Sequence, residues 1–154
     1  MEEGPKVKAN PLRIFVLLLV VSFIFGELIN INILFPLFIN IFGIFLSIIF
    51  SSLFFISARM FFLYKEQLAP STYTLRIIKT GVYSYTRNPI YLAFVGFQLS
   101  MFLMFGNIFY LLSSAFLLLW INFFVIIPEE MYLSEKFGEE YKRYQKNVSR
   151  WIFF

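Results

Sequence analysis

Two short stretches hold most of the residues in this chain that can do chemistry. "TGVYSYTRNPIY", Thr80 to Tyr91, sets Arg87 and Asn88 directly before Pro89, with Tyr83, Tyr85 and Tyr91 around them. Further along, Glu129 and Glu130 follow Pro128. Each stretch borders a long apolar run. Carboxylates brought next to an arginine at a hydrophobic edge shift one another's ionisation and leave a polar pocket in an apolar wall. Other chemistry is missing. With no cysteine and no histidine, the chain has no thiolate nucleophile, disulfide, imidazole base, haem ligand or usual zinc set. It also has no Gly-rich strand-to-helix loop for a nucleotide phosphate. A reaction here must use Arg, Glu, Tyr, Asn and backbone groups; no metal and no nucleic-acid partner is expected.

The elements that position these residues are set by hydrophobicity. The 154 residues are 60% hydrophobic, 22% aromatic and only 14% charged, with a mean hydropathy of +0.77, far from the balance of a soluble domain. A bilayer span needs roughly 20 mostly apolar residues. Four segments qualify: 14–29, 33–57 with Pro36 near its start, 89–105 and 108–127. The expected fold is an all-α integral membrane domain covering 1–154, with two helical hairpins and a C-terminal amphipathic helix.

Lysine and arginine orient it, because cytoplasmic loops retain positive charge. All 13 fall in three places: Lys6, Lys8 and Arg13 before the first span, Arg59 to Arg87 between the second and third, and Lys136 to Arg150 after the fourth. The turns Asn30–Asn32 and Gly106–Asn107 carry none. The reading is a multi-pass protein with both termini and the middle loop cytoplasmic. No small-residue cleavage site follows the first span, so it is expected to stay attached.

The two-residue turn at Gly106–Asn107 makes spans three and four antiparallel neighbours. The start of one then meets the end of the other, and a single cytoplasmic corner gathers Arg87, Asn88, Glu129, Glu130 and the hydroxyls of Tyr83, Tyr85 and Tyr91. Taken singly, each has a structural reading: Asn88-Pro89 as a helix cap, Arg87 as an anchor and the tyrosines as an interfacial belt. Their convergence favours a site. Glu27, three residues from a turn, is read as structural and snorkelling. In the tail, Leu133, Phe137, Tyr141, Tyr144, Val148 and Trp151 form an apolar helical stripe. Glu139 is set to pair with Arg143, and Gly138 to break the helix. The stripe suits either a surface helix on anionic head groups or a lid over the corner.

"TGVYSYTRNPIYLAF" followed by "PEEMYLSEKFGEEYKRYQKNVSRWI" resembles the C-terminal half of the isoprenylcysteine carboxyl methyltransferase and phospholipid methyltransferase superfamily of integral membrane enzymes. The pattern is G-x-Y-x-x-x-R-[HN]-P-x-Y, a hydrophobic hairpin, then E-E-x-x-L-x-x-x-F-G-x-x-Y-x-x-Y, and it covers Thr80 to Trp151. The resemblance implies S-adenosylmethionine as cofactor, bound within 80–151 under the C-terminal segment. It also implies a lipophilic methyl acceptor, such as a prenylcysteine carboxylate or a phospholipid, drawn from the membrane lipids. By the same resemblance Gly81, Tyr83, Asn88, Tyr91, Glu129 and Glu130 bind the cofactor, while Arg87 and Glu130 are catalytic. Asn88 stands where histidine is common. Membrane sterol reductases that use NADPH have a related motif, usually with Asn after the proline, where this chain has Ile90. A non-enzymatic helical membrane protein is the remaining alternative.

For a carboxylate acceptor, methyl transfer from a sulfonium cancels opposite charges and moves no proton, so alignment and water exclusion suffice. The expected roles follow. The N-terminus of span three with Asn88 takes the cofactor's carboxylate, Glu129 or Glu130 its ammonium, and Tyr83 or Tyr91 its adenine or sulfonium. Arg87 orients an anionic acceptor; an amine acceptor would need a glutamate as base.

Overall fold

The computed structural model describes residues 4, 5, 7, 9–69 and 72–152; Lys6 and Lys8, used above for orientation, lie outside the described residues. Every regular element among the described residues is helical. They are α1 (Pro11–Ile29), α2 (Leu37–Leu63), a 3-10 turn at Gly81–Ser84, α3 (Pro89–Phe105), α4 (Ile108–Ile121), a π turn at Asn122–Ile126, α5 (Ile127–Phe137) and α6 (Glu139–Asn147).

Local chemistry sets the helix ends. Asn10 caps α1 by accepting from Leu12 N–H at 2.9 Å, and Pro11 supplies a first helical residue that needs no N–H partner. Asn107 caps α4 in the same way through Phe109 N–H. Between α3 and α4 the chain turns at Gly106, with φ 69° and its N–H returning to Phe102 O. A Cβ there would also lie 2.0 Å from Ile33 O, so both conformation and space demand glycine.

α2 packs along α3, α3 on α4, and α1 on α4, which puts α3 and α4 at the centre. At the end away from Arg87 the two hairpin turns are stitched together. Ile33 N–H donates to Gly106 O at 2.8 Å, and Asn40 Nδ2 to Met104 O at 2.9 Å. Along the α1–α4 seam Ser22 Oγ donates to Phe109 O, and Asn107 Nδ2 to Ser22 O. Small residues that let backbones approach and share hydrogen bonds are how helices associate where water supplies no driving force.

The buried core lies at the Arg87 end: Tyr91 and Phe94 of α3 against Leu117, Ile121, Val125 and Ile126. Phe94 stacks on Phe15 of α1 with centroids 4.6 Å apart and tilts against Phe54 of α2. Elsewhere α2 exposes Phe38, Phe42, Phe45 and Phe55, an apolar surface that needs lipid or protein cover. Among the described residues three helices are long and apolar enough to cross a membrane: α1, α2 and the continuous rod 108–137. α3, with 17 residues, rises about 26 Å, slightly less than the hydrocarbon core.

Helix ends differ from the hydropathy boundaries where apolar length is not the deciding force. α1 begins at Pro11 rather than residue 14, because the cap lies there. α2 starts after Pro36, which is its N-cap rather than an internal residue, and runs past Arg59 to Leu63. The fourth segment does not stop at Ile127. It passes through the π turn into α5 with Pro128 in the first turn. Proline removes a helical N–H and crowds the carbonyl four residues back; the widened turn just before it absorbs both effects and keeps the rod continuous. Gly138, φ 53°, separates α5 from α6.

Candidate functional site

Residues 81–91 fold as a 3-10 turn, a short link and the first turn of α3. Tyr83 and Tyr85 are two residues apart on that turn, so they lie about 240° apart around its axis. Tyr83 is buried, whereas Tyr85 is 78% exposed and takes no part in the corner. Gly81 opens the turn at φ 59°, with Met60 Sδ 2.8 Å from where a Cβ would stand. It shapes the backbone and does not line the cavity.

Six of the expected residues do line one cavity of about 290 Å³: Tyr83, Arg87, Asn88, Tyr91, Glu129 and Glu130. Tyr141 and Tyr144 of α6 close it. An apolar arm extends from this polar end past Phe54 and Phe61 of α2, Phe94 of α3 and the start of α1 at Asn10–Leu12. The loop after α2 supplies another wall at Gln67–Ala69 and Thr74. That loop is held by Glu66, which accepts from Leu75 N–H at 3.0 Å. Thr74 N–H also donates to Tyr132 of α5, and the Lys136 ammonium lies 2.8 Å over the Tyr73 ring.

The two glutamates have different surroundings. Glu130 is fully engaged. Its Oε1 accepts from Arg87 Nη2 at 2.7 Å and Arg150 Nε at 3.2 Å, and its Oε2 from Arg150 Nη2 at 2.6 Å. Among the described residues Glu129 accepts only from the Tyr91 hydroxyl, at 3.0 Å on Oε2, and it lines the cavity. Surrounding protein pushes the Glu129 carboxyl up to about 7; the Tyr91 hydrogen bond opposes that rise and nearby Glu130 adds to it. Burial, reinforced by Glu129, also raises Tyr83, and Tyr141 and Tyr144 rise chiefly by burial. All three phenols therefore stay protonated at neutral pH.

The C-terminal segment is a lid. Arg87 donates through Nη1 to Gln145 O and Val148 O, and through its backbone N–H to Ser149 O. Thr86 Oγ1 and Asn88 Nδ2 both donate to Arg150 O at 3.0 Å, and the Tyr144 hydroxyl donates to Tyr83 O at 2.6 Å. Trp151 packs against the core. Asn88 thus stands at the N-cap position without capping: its carboxamide is turned to the lid and donates to the Arg150 carbonyl. Glu139 pairs with Lys142 rather than Arg143, an exposed pair of small weight.

Two buried donors, Arg87 Nε and the Tyr83 hydroxyl, have no hydrogen-bond partner among the described residues, and both residues line the cavity. Buried polar groups are nearly always satisfied, so these two mark where a ligand atom is wanted. Sequence reasoning missed Arg150 as part of this site, taking it for one more tail cation. A charge count held the signal, since two carboxylates buried beside a single arginine call for a second cation.

A family model for phospholipid methyltransferase matches residues 31–140, well over half of the chain, including the Arg87 to Tyr91 and Glu129-Glu130 stretches and ending before Tyr141, Tyr144 and Arg150. An uncharacterized protein of Haemophilus influenzae is 41% identical over 63 residues, which are 41% of this chain and the whole of that protein. With a match of that extent on an all-helical fold carrying three membrane-length apolar helices, the chain belongs to the phospholipid methyltransferase family of integral membrane methyltransferases.

Proposed function

We propose that this protein is an S-adenosylmethionine-dependent methyltransferase acting on a lipophilic acceptor, such as a phospholipid or a prenylcysteine carboxylate, at the membrane surface. One observation carries the reading: the polar end of the cavity is bipolar. Glu129 offers an unpaired carboxylate, while Arg87 Nε, Asn88 and the Tyr83 hydroxyl line the same space. A ligand with an ammonium and a carboxylate on one carbon suits that pair of poles.

When bound, the cofactor supplies a methyl group on a positive sulfur. The chain's own residues hold and shield it. Glu129 takes the ammonium, because both Glu130 oxygens are occupied by arginines. The start of α3, with Asn88 and Arg87 Nε, takes the carboxylate. Tyr83 and Tyr91 offer ring faces to adenine or sulfonium. Tyr141 and Tyr144 keep water out, which strengthens every charge interaction inside. Arg87 orients an anionic acceptor, while an amine acceptor would lose its proton to a glutamate. The acceptor's apolar part lies along Phe54, Phe61 and Phe94.

In this reading the cofactor-binding half is 80–151 of a single membrane domain. Four spans cross the bilayer, near 14–29, 33–57, 89–105 and 108–127, and the chain enters and leaves on the cytoplasmic side. The support is the charge pattern, with no Lys or Arg in either turn at the opposite end.

Calorimetric titration of the detergent-purified protein with S-adenosylhomocysteine tests this, with NADPH in parallel. Saturable uptake of S-adenosylhomocysteine, weakened by Glu129→Gln and Glu130→Ala, is expected. Uptake of NADPH alone would move the protein to reductase chemistry.

A further inference from the structure

We infer that Arg150 is a positioning residue for this corner: from outside the cavity it sets the orientation of Glu130 and Asn88 and keeps the Arg87 Nε free for a ligand. For its functional consequence the inference rests on the cofactor reading above.

Arg150 is not part of the cavity wall. It lies behind Glu130 and lines an outer groove with Ile127, Met131 and Gln145. Each guanidinium nitrogen and the carbonyl has a partner across the fold. Nε and Nη2 hold the two oxygens of Glu130 as a fork at 3.2 and 2.6 Å, and Nη1 donates to Asn122 Oδ1 at 3.2 Å. Its carbonyl accepts from Thr86 Oγ1 and Asn88 Nδ2. One residue thereby joins the link before α3, the π turn, α5 and the end of the lid.

The π turn explains why the joint is needed. Asn122 is its first residue, and the widened turn sets the direction in which Glu129 and Glu130 leave the rod. One residue of helical register is worth about 100° of rotation. A side chain that holds both Asn122 and Glu130 fixes that register at its two ends.

The fork also governs Arg87. Arg87 reaches Glu130 with Nη2 alone, while Arg150 holds Oε2 and shares Oε1. With Oε2 vacated, Arg87 is able to turn Nε onto Glu130 and close a fork of its own, which is the preferred geometry for this pair. The donor left for a ligand carboxylate would then be spent. Glu130, freed on one side, would also compete with Glu129 for the ammonium. Lysine keeps the charge but cannot bridge Glu130 and Asn122 with a planar fork.

The test compares two ligands on the parent, Arg150→Lys, Arg150→Gln and, as an exposed control, Lys142→Ala. S-adenosylhomocysteine carries the amino-acid group; methylthioadenosine lacks it. Both Arg150 variants are expected to weaken S-adenosylhomocysteine by about tenfold or more, the worth of one charge-assisted hydrogen bond, with methylthioadenosine affinity and Lys142→Ala unchanged. Equal loss for both ligands would mean general collapse and overturn the inference, as would parental affinity in Arg150→Lys. Hydrogen exchange at the Arg87 amide, bonded to Ser149 O, gives a ligand-free readout. If the parent binds neither ligand, the methyltransferase reading fails. Exchange then decides for Arg150 alone: faster exchange in both variants supports the inference, and unchanged exchange overturns it.

Discussion

Tyr91 donates its hydroxyl to Glu129 Oε2 across 3.0 Å, tying the first turn of α3 to the first turn of α5 and leaving the other carboxylate oxygen to the cavity. Burial holds the Glu129 carboxyl up to about 7, and the Tyr91 bond is what opposes a further rise. A ligand ammonium needs the ionised form. Affinity for S-adenosylhomocysteine is therefore expected to rise with pH until Glu129 is deprotonated, near 7, and to level off above. Tyr91→Phe removes the opposing bond and should move the midpoint of that rise to higher pH. Titrations across pH 5.5 to 8.5, chosen to bracket that shifted group, check both; a flat profile would remove Glu129 from the ammonium role.

The two glutamates should separate in mutagenesis. Glu130→Gln leaves the nearly buried Arg87 guanidinium and the partly exposed Arg150 facing a neutral amide. Removing one partner of a buried charge pair costs about 3 kcal/mol or more, and a drop in the thermal unfolding temperature in detergent should register it. Glu129→Gln keeps an oxygen for Tyr91 and disturbs little packing, so stability should change by less than about 1 kcal/mol while ligand affinity falls. Equal destabilisation by both changes would contradict the division of labour.

That division was only partly legible in the sequence. The carboxylate pair, Arg87 and Asn88 could be placed at one corner because a two-residue turn leaves α3 and α4 no other arrangement. Which glutamate stays unpaired depends on Arg150, twenty residues beyond Glu130 and past a glycine break, and no periodicity spans such a return. Tyr85 looked equivalent to Tyr83 because a linear motif does not record the pitch of a 3-10 turn. The π turn had no sequence signal beyond Pro128, whose ordinary reading is a helix end. Helix lengths were blurred for a different reason: hydropathy marks what lipid covers, whereas caps such as Asn10 and Pro36 decide where hydrogen bonding begins.

Arg87→Ala should act on the lid as well as on turnover. Its Nη1 holds carbonyls at the end of α6, where a cation also suits the helix dipole. Faster hydrogen exchange over residues 145–152 is expected, with methyl transfer reduced by about a hundredfold or more if the guanidinium also orients the acceptor. Loosened exchange with full turnover would keep the lid role and discard the acceptor role.

Tyr144→Phe removes one neutral bond to the Tyr83 carbonyl and leaves that buried acceptor unsatisfied, an expected loss of roughly 1 to 3 kcal/mol. Because the ring remains to close the cavity, the change should register in unfolding temperature more than in ligand affinity. The reverse pattern would mean that the hydroxyl itself contacts the ligand.

The proposed topology has a clean test because the chain contains no cysteine, so any introduced thiol is the only one. Leu34 is 96% exposed between α1 and α2, at the end that carries no Lys or Arg. Lys142 is exposed on α6, within the lid itself. If positive charge set the orientation during insertion, a membrane-impermeant thiol reagent applied to intact cells should label Leu34→Cys and spare Lys142→Cys, with both labelled after the membrane is opened. Labelling of Lys142→Cys alone in intact cells would invert the protein and put the cavity on the far face, away from a cytoplasmic supply of cofactor. Labelling of both in intact cells would mean an even number of crossings between them, with α3, shorter than α1, α2 and the rod 108–137, the first to doubt as a full span.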